Sequence, residues 1–157
     1  MLLDRGWIEA HIPHKGRMCL LDEVVSWDSV RVRCLSLSHR AADNPLRAHG
    51  RLGAVCGIEY GAQAMAVHAA LLAQQAPAAA AFSGFLASVR DVTLHVSRLD
   101  DLKGELIADA ERLMRNERSA LYELWIWSAG RLLVEGRVTV VFGGPLIPRA
   151  QDRHPPE

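Results

Sequence analysis

Leu52-Gly53-Ala54-Val55-Cys56-Gly57-Ile58-Glu59-Tyr60-Gly61-Ala62-Gln63-Ala64-Met65-Ala66-Val67-His68-Ala69-Ala70-Leu71-Leu72-Ala73-Gln74-Gln75 is the stretch whose reading decides the fold. It is rich in alanine and leucine and holds no proline, which predicts one helix of about 22 residues, or ~33 Å at 1.5 Å per residue. A surface helix shows a single apolar stripe, whereas this one is apolar nearly all round, so other structure must wrap it on most sides. Its length would also suit a bilayer. Glu59, Gln63 and His68 interrupt it, however, and a lipid-facing helix tolerates such groups poorly. The expectation is a buried helix and no membrane span, stopped by Pro77 after Gln74-Gln75-Ala76.

On the N-terminal side, residues 38–51 are small, polar and turn-rich, and read as a loop. Before them lie two β-rich runs, Cys19–Trp27 and Val30–Leu37. The second alternates apolar Val30, Val32 and Cys34 with Arg31 and Arg33, as a half-exposed strand does. Asp28-Ser29 between them suits a tight turn. A short amphipathic piece, Leu3–Ala10, precedes an irregular turn marked by Pro13 and Gly16. On the C-terminal side, Phe82–Leu99, Gly104–Met114, Ala120–Ser128 and Leu132–Phe142 are β-rich runs with short turns between them, which predicts an antiparallel meander. One apolar helix and one antiparallel sheet have an economical solution, a sheet curled around the helix. That is the α+β hot-dog fold. Exposed sheet edges in such a fold call for a second subunit, so a dimer is expected.

The 157 residues fit one domain, and half of them are hydrophobic, enough for a core at this length. Residues 143–157 are expected to form a loosely ordered tail. The 18 basic and 18 acidic residues cancel, which gives no electrostatic reason to expect nucleic acid or a membrane surface as partner. Cys19, Cys34 and Cys56 show no ligand spacing and read as buried free thiols. The start, Met1-Leu2-Leu3-Asp4-Arg5-Gly6-Trp7, lacks the basic-then-apolar build of a signal peptide, so the cytoplasm is the expected compartment.

Glu59 is the strongest chemical anomaly. A carboxylate in the first turns of an apolar helix is expensive unless paired. It is either matched by a buried cation or is an acid or base tuned by burial. Gln63, four residues on, shares its face and could hold that carboxylate or a substrate oxygen, or be a satisfied core amide. His68 falls on the opposite face and reads as structural or dimer-facing. Gly53, Ala54 and Gly57 are small residues at the helix start. They either expose N–H groups that polarise a substrate carbonyl or let the helix pack closely on a strand. Among seven histidines, His14 in a Pro-His-Lys-Gly turn and His49 in the loop before the helix could partner Glu59, within one subunit or across two. His11, His39, His95 and His154 lack a supporting context. No HExxH, GxGxxG, Walker or GxSxG motif is present, so no metal or cofactor is expected.

Two segments carry a resemblance. Ile12-Pro13-His14-Lys15-Gly16-Arg17-Met18-Cys19-Leu20-Leu21-Asp22 resembles the N-terminal segment of 3-hydroxyacyl-acyl-carrier-protein dehydratases, where a Pro-His pair precedes a Leu-Leu-x-Asp strand. Gly57-Ile58-Glu59-Tyr60-Gly61-Ala62-Gln63 is similar to their Glu-Ala-x-Ala-Gln helix motif, with Glu59 on the catalytic acid and Gln63 on the glutamine. The chain looks closest to the divergent branch found with aryl-polyene and related lipid pathways. It departs at one point. The fatty-acid enzymes carry their histidine in a Gly-His-Phe-Pro loop, and Pro45 stands there in this chain. The resemblance assigns the histidine role to His14 ahead of His49.

What the resemblance implies is loss of water from a 3-hydroxyacyl thioester on acyl-carrier protein, giving a trans-2-enoyl thioester. A histidine would take the C2 proton, and Glu59, kept neutral by a raised pKa, would protonate the departing hydroxyl. The acyl chain would lie between helix and sheet, against Phe82, Phe85, Leu86 and Met65. Homodimer and heterodimer with a related hot-dog subunit are both open. Two alternatives keep the fold: an acyl thioesterase, and a non-catalytic partner of an active dehydratase.

Overall fold

The computed structural model describes residues 2–76 and 84–143. The elements are α1 (Arg5–His11), β1 (Glu23–Trp27), β2 (Arg31–Ser36), α2 (Gly57–Gln75), β3 (Gly84–Leu94), β4 (Leu106–Arg115), β5 (Ser119–Ser128) and β6 (Arg131–Phe142), with short 3-10 turns at Gly16–Met18, Ser38–Arg40 and Ala54–Cys56. Phe82 and the tail beyond Gly143 lie outside the described residues.

The strands form one antiparallel sheet in the order β1-β2-β4-β5-β6-β3, with α2 packed against it. This is the hot-dog fold the long helix announced. Inward residues alternate along β4 and β5: Leu106, Ala108 and Ala110, then Ala120, Tyr122, Leu124 and Ile126 are buried. The helix comes close because it is small where it touches. A Cβ on Gly61 would stand 2.7 Å from Leu124 Cδ1 and 3.1 Å from its Cβ, and one on Gly57 would stand 3.0 Å from Val134 Cγ2. Together with its preceding turn, the helix over Ala54–Gln75 is long and apolar enough to cross a bilayer by length and composition, yet half of that window is buried inside the fold.

The expected meander needs a correction. β3 does not lie beside β4. It pairs with β6 at the far edge, and β2 takes the place beside β4. Among the four later strands, tight turns join only β4 to β5 and β5 to β6. Asn116 Oδ1 accepts from Arg118 N and Ser119 N in the first, and Ala129 and Gly130 both take positive φ in the second. The link from β3 to β4 is too long for a hairpin and crosses under the start of the helix. There Leu99 N donates to Leu52 O (2.8 Å), Ala54 N to Ser97 O (3.0 Å) and Leu52 N to Asp100 Oδ1 (2.9 Å).

The two edges differ. β1 receives a strand-like bond on its outer side, Val24 N to Leu3 O (2.9 Å), from the segment leading into α1. On β3, Phe85, Leu86, Val89, Val92 and Leu94 are exposed. The ladder of β3 runs on one side only among the described residues.

Candidate active site

Glu59 sits in the first turn of α2, and His14 reaches it from the turn after α1. The sequence builds that turn from both sides. Asp4 caps α1 by accepting from Trp7 N, and Ile8 and Ile12 are buried anchors. Past His14 the chain reverses at Gly16, whose φ of +57° suits glycine. Gly16 N donates to Glu9 Oε1 (3.0 Å), Arg5 donates to Gly16 O (2.9 Å), and Lys15 Nζ donates to Ile12 O (2.9 Å) and to Glu9 O. Held this way, His14 Nε2 lies 3.2 Å from Glu59 Oε1, with both side chains about seven-tenths buried.

Gln63 locks the other side of the carboxylate. It is fully buried; its Oε1 accepts from Leu20 N (2.9 Å), and its Nε2 donates to Met18 O (2.7 Å) and to Glu59 Oε1 (3.1 Å). Those bonds also explain why the extended run at Cys19 becomes ladder only at Glu23: the backbone near residue 20 is bonded to the helix instead. Gln63 therefore does hold the carboxylate, as one reading had it. Its expected contact with substrate is corrected, since both its donors are engaged by the protein.

A raised pKa at Glu59 is corrected as well. Burial pushes the carboxyl up, but hydrogen bonds from His14 and Gln63, together with the charge of the imidazole, outweigh it and hold Glu59 below its ordinary value. It is a carboxylate near neutral pH. His14 Nδ1 is buried without a hydrogen-bond partner among the described residues.

The pair opens on a cavity of about 590 Å³ between the free face of α2 and the ends of β3 to β6. Its polar end carries His11, Pro13, His14 and Glu59. Met65, Ala69, Leu86 and Val140 line the apolar stretch, and Arg112 and Arg115 stand among the lining. Gln74, which also lines it, lies fifteen positions after Glu59 on the helix, a length of ~22 Å. Met65 and Leu86 are where the acyl path was expected. Phe85 is not: alternation along β3 turns it outward, and it is 70 % exposed.

The other candidates separate cleanly. His49 stands on an exposed turn with φ of +54° and has no hydrogen bond or ion pair to Glu59 among the described residues. Two of the N–H groups proposed for a substrate carbonyl are engaged: Ala54 N bonds Ser97 O, and Gly57 N bonds back to Ala54 O and Val55 O. Gly57 serves close packing on β6, and Gly53 forms a bridge with Arg98. His68 is structural. Its Nε2 donates to Asp28 O (2.9 Å), so its Nδ1 accepts from the Tyr122 hydroxyl (2.7 Å), and burial keeps the ring neutral by lowering its pKa. Among the described residues no three His, Cys, Asp or Glu side chains cluster as metal ligands would.

Sequence reasoning passed over His11, which lines the same cavity. The available signal was spacing, since it lies four residues after Trp7 on α1 and three before His14. It also missed the buried network behind Glu59, where the Tyr60 hydroxyl meets Ser38 Oγ (2.8 Å) and Asn44 Nδ2 (3.1 Å).

With this geometry in place, comparison with known proteins decides the family. A profile described as ApeP-like, ApeP dehydratase, matches residues 7–144. The chain belongs to the ApeP-like dehydratase family. That match takes in the His14 turn, Glu59, Gln63 and the cavity together. No curated protein sequence gives a significant match. Among solved structures, the chain is similar to one in the dehydratase heterocomplex ApeI:P from Xenorhabdus doucetiae, at 24% identity and a TM-score of 0.76, covering 88% of this chain and 91% of that one. It is also similar to zebra fish thioesterase superfamily member 2 (15% identity, TM-score 0.61, 88% and 95% covered). A thioesterase from Staphylococcus aureus matches at 17% identity and a TM-score of 0.56, with 78% and 93% covered. At these identities the structural likenesses establish the hot-dog fold.

Proposed function

We propose that the chain dehydrates a 3-hydroxyacyl thioester carried on acyl-carrier protein to the trans-2-enoyl thioester, with Glu59 and His14 as the catalytic pair. The observation that carries this is the 3.2 Å contact of His14 Nε2 with Glu59 Oε1 at the polar end of an apolar cavity. Elimination of water needs a proton taken from C2 and a proton given to the C3 hydroxyl. The pair holds one transferable proton, which sits either on the imidazole opposite a carboxylate or on Glu59 opposite a neutral imidazole. Contact with water favours the charged form. An acyl chain that displaces water raises the cost of that charge and favours the neutral form, in which Glu59 is the acid. A lowered Glu59 pKa and an acid role for Glu59 are thus compatible.

The apolar edge of β3, without a further strand among the described residues, supports a partner subunit that continues the sheet there. The similarity to a chain of a dehydratase heterocomplex favours a related hot-dog protein as that partner. The cytoplasm is the compartment proposed for it, in keeping with three free cysteines.

The test is an assay of 3-hydroxyacyl chains on carrier protein, with the purified chain alone and with any subunit that co-purifies, followed by mass. Loss of one water, abolished in Glu59→Gln and His14→Ala but kept in His49→Ala, is the expected result. Release of a free acid would turn the reading to thioesterase. Activity that survives Glu59→Gln in the complex would make this chain a non-catalytic partner.

A further inference from the structure

His14 and Glu59 are joined to one another, and this creates a vacancy in the chemistry. A nitrogen that is sharing its proton with a carboxylate cannot at the same moment accept one from carbon. The Nδ1 of His14 is buried, so the acceptor for the C2 proton should be a third group in the same cavity, with an accessible lone pair that the protein does not use.

His11 has those properties. It is the last residue of α1 and lines the polar end of the cavity beside Pro13, His14 and Glu59. Its Nδ1 lies 2.7 Å from Trp7 O. A carbonyl only accepts, so Nδ1 carries the hydrogen, and the lone pair of the neutral ring is on Nε2. The ring also stacks on the Trp7 indole, with centroids 4.1 Å apart and planes 13° from parallel, which fixes its orientation. Nε2 has no hydrogen-bond partner among the described residues. Tautomer and ring direction are therefore set, as a general base requires, while the basic nitrogen is left open. The other well-ordered histidine near the helix, His68, has both nitrogens engaged.

We propose that His11 is a further catalytic residue, whose Nε2 takes the C2 proton of the substrate while the His14–Glu59 pair protonates the leaving hydroxyl. The C2–H bond breaks and its proton moves to Nε2. Its electron pair becomes the second C2–C3 bond, the C3–O bond breaks with its own pair, and the hydroxyl leaves as water with the proton from the pair. His11 then returns its proton through solvent to the pair, and the protein ends as it began. This assignment rests on the dehydratase reading and moves the role of C2 base from His14 to His11.

The experiment compares wild type, His11→Ala and His11→Gln in the dehydration assay, with the same partner subunit present, and adds free imidazole. Because His11 is on the surface of α1, both variants should keep the parental melting temperature. The expected result is a fall in kcat of ~100-fold or more with KM within about threefold, and partial recovery by imidazole in His11→Ala, where a ring-sized space opens. A lost structural contact would not be repaired by imidazole. Parental kcat in both variants, or a change in KM alone, would overturn the proposal and leave the dehydratase reading intact. A wild type that dehydrates nothing would bring down both.

Discussion

On the sheet side of α2, Gly57, Gly61, Ala64, Val67 and His68 are buried against β-strands. On the cavity side, Ala62, Ala66, Ala69, Ala70 and Ala73 line open space. The two faces use nearly the same small residues for opposite ends. Towards the sheet, small size permits contact, and an added methyl at Gly61 has nowhere to go. Towards the cavity, small size keeps room for a ligand. The polar residues of the two faces differ in the same way. His68 is satisfied wholly within the protein, by Tyr122 and Asp28. Glu59 keeps partial exposure and meets a group from a separate segment. A buried polar residue with every valence met supports the fold, and one with capacity left over marks a site.

The sharpest way to break this contrast is at Gln63, which joins the two faces. Gln63→Leu leaves Leu20 N–H unmet in the interior, at a cost of roughly 1–3 kcal/mol, and removes the part-buried bond to Met18 C=O, so chemical denaturation should show the largest loss of the series. It also removes one of the bonds that hold Glu59 low, and the Glu59 titration followed by NMR should move up. Unchanged stability would mean that Gln63 is not the bracket described.

Next is Gly61→Ala. Over-packing against Leu124 costs about 1–3 kcal/mol and helix propensity returns about 1 kcal/mol, so a net loss of up to about 2 kcal/mol should appear as a lower melting temperature. Ala69→Leu, on the opposite face, should alter stability by no more than about 0.5 kcal/mol. Its effect should fall on substrate choice, with competition assays shifting toward shorter acyl chains. Equal destabilisation by the two substitutions would erase the distinction between the faces.

The smallest effect concerns acid. The folded pKa of Glu59 lies below its ordinary value of 4.5, so its pairing contributes stability that is fully present above that pH and is lost as pH falls through the folded value. The difference in denaturation midpoint between wild type and Glu59→Gln should be constant on the neutral side and move toward that of the protonated form below about pH 4.5. A difference that grew on acidification would show that the carboxyl is raised after all.

Much of this was legible in residue order. Absence of proline and near-uniform apolarity over 52–75 implied a wrapped helix, and alternation in Val30–Leu37 implied a strand with one face buried. Glu59 stood out because a carboxylate there needs a reason. The strand order was not legible, because periodicity reports which face a residue takes and says nothing about which strand lies beside it. His11 was missed for a related cause. On α1 it looks like an ordinary exposed histidine, and only the docking of α1 beside α2 sets it at the cavity. The N–H of Ala54 was misread because its partner, Ser97 O, lies more than forty positions away, and that of Gly57 because it closes the turn before the helix.

By itself, then, the sequence determined a helix too apolar to stand alone, a set of strands to cover it, and one carboxylate placed where it must be paired. These are local matters of hydrophobic pattern, turn chemistry and desolvation, which act over a few residues. Tertiary structure decided which histidine meets Glu59, that its carboxyl is held low, and that β3 lies at the open edge. Each of those depends on distance through space between segments far apart in the chain, and hydrogen bonds and charge act over that distance alone.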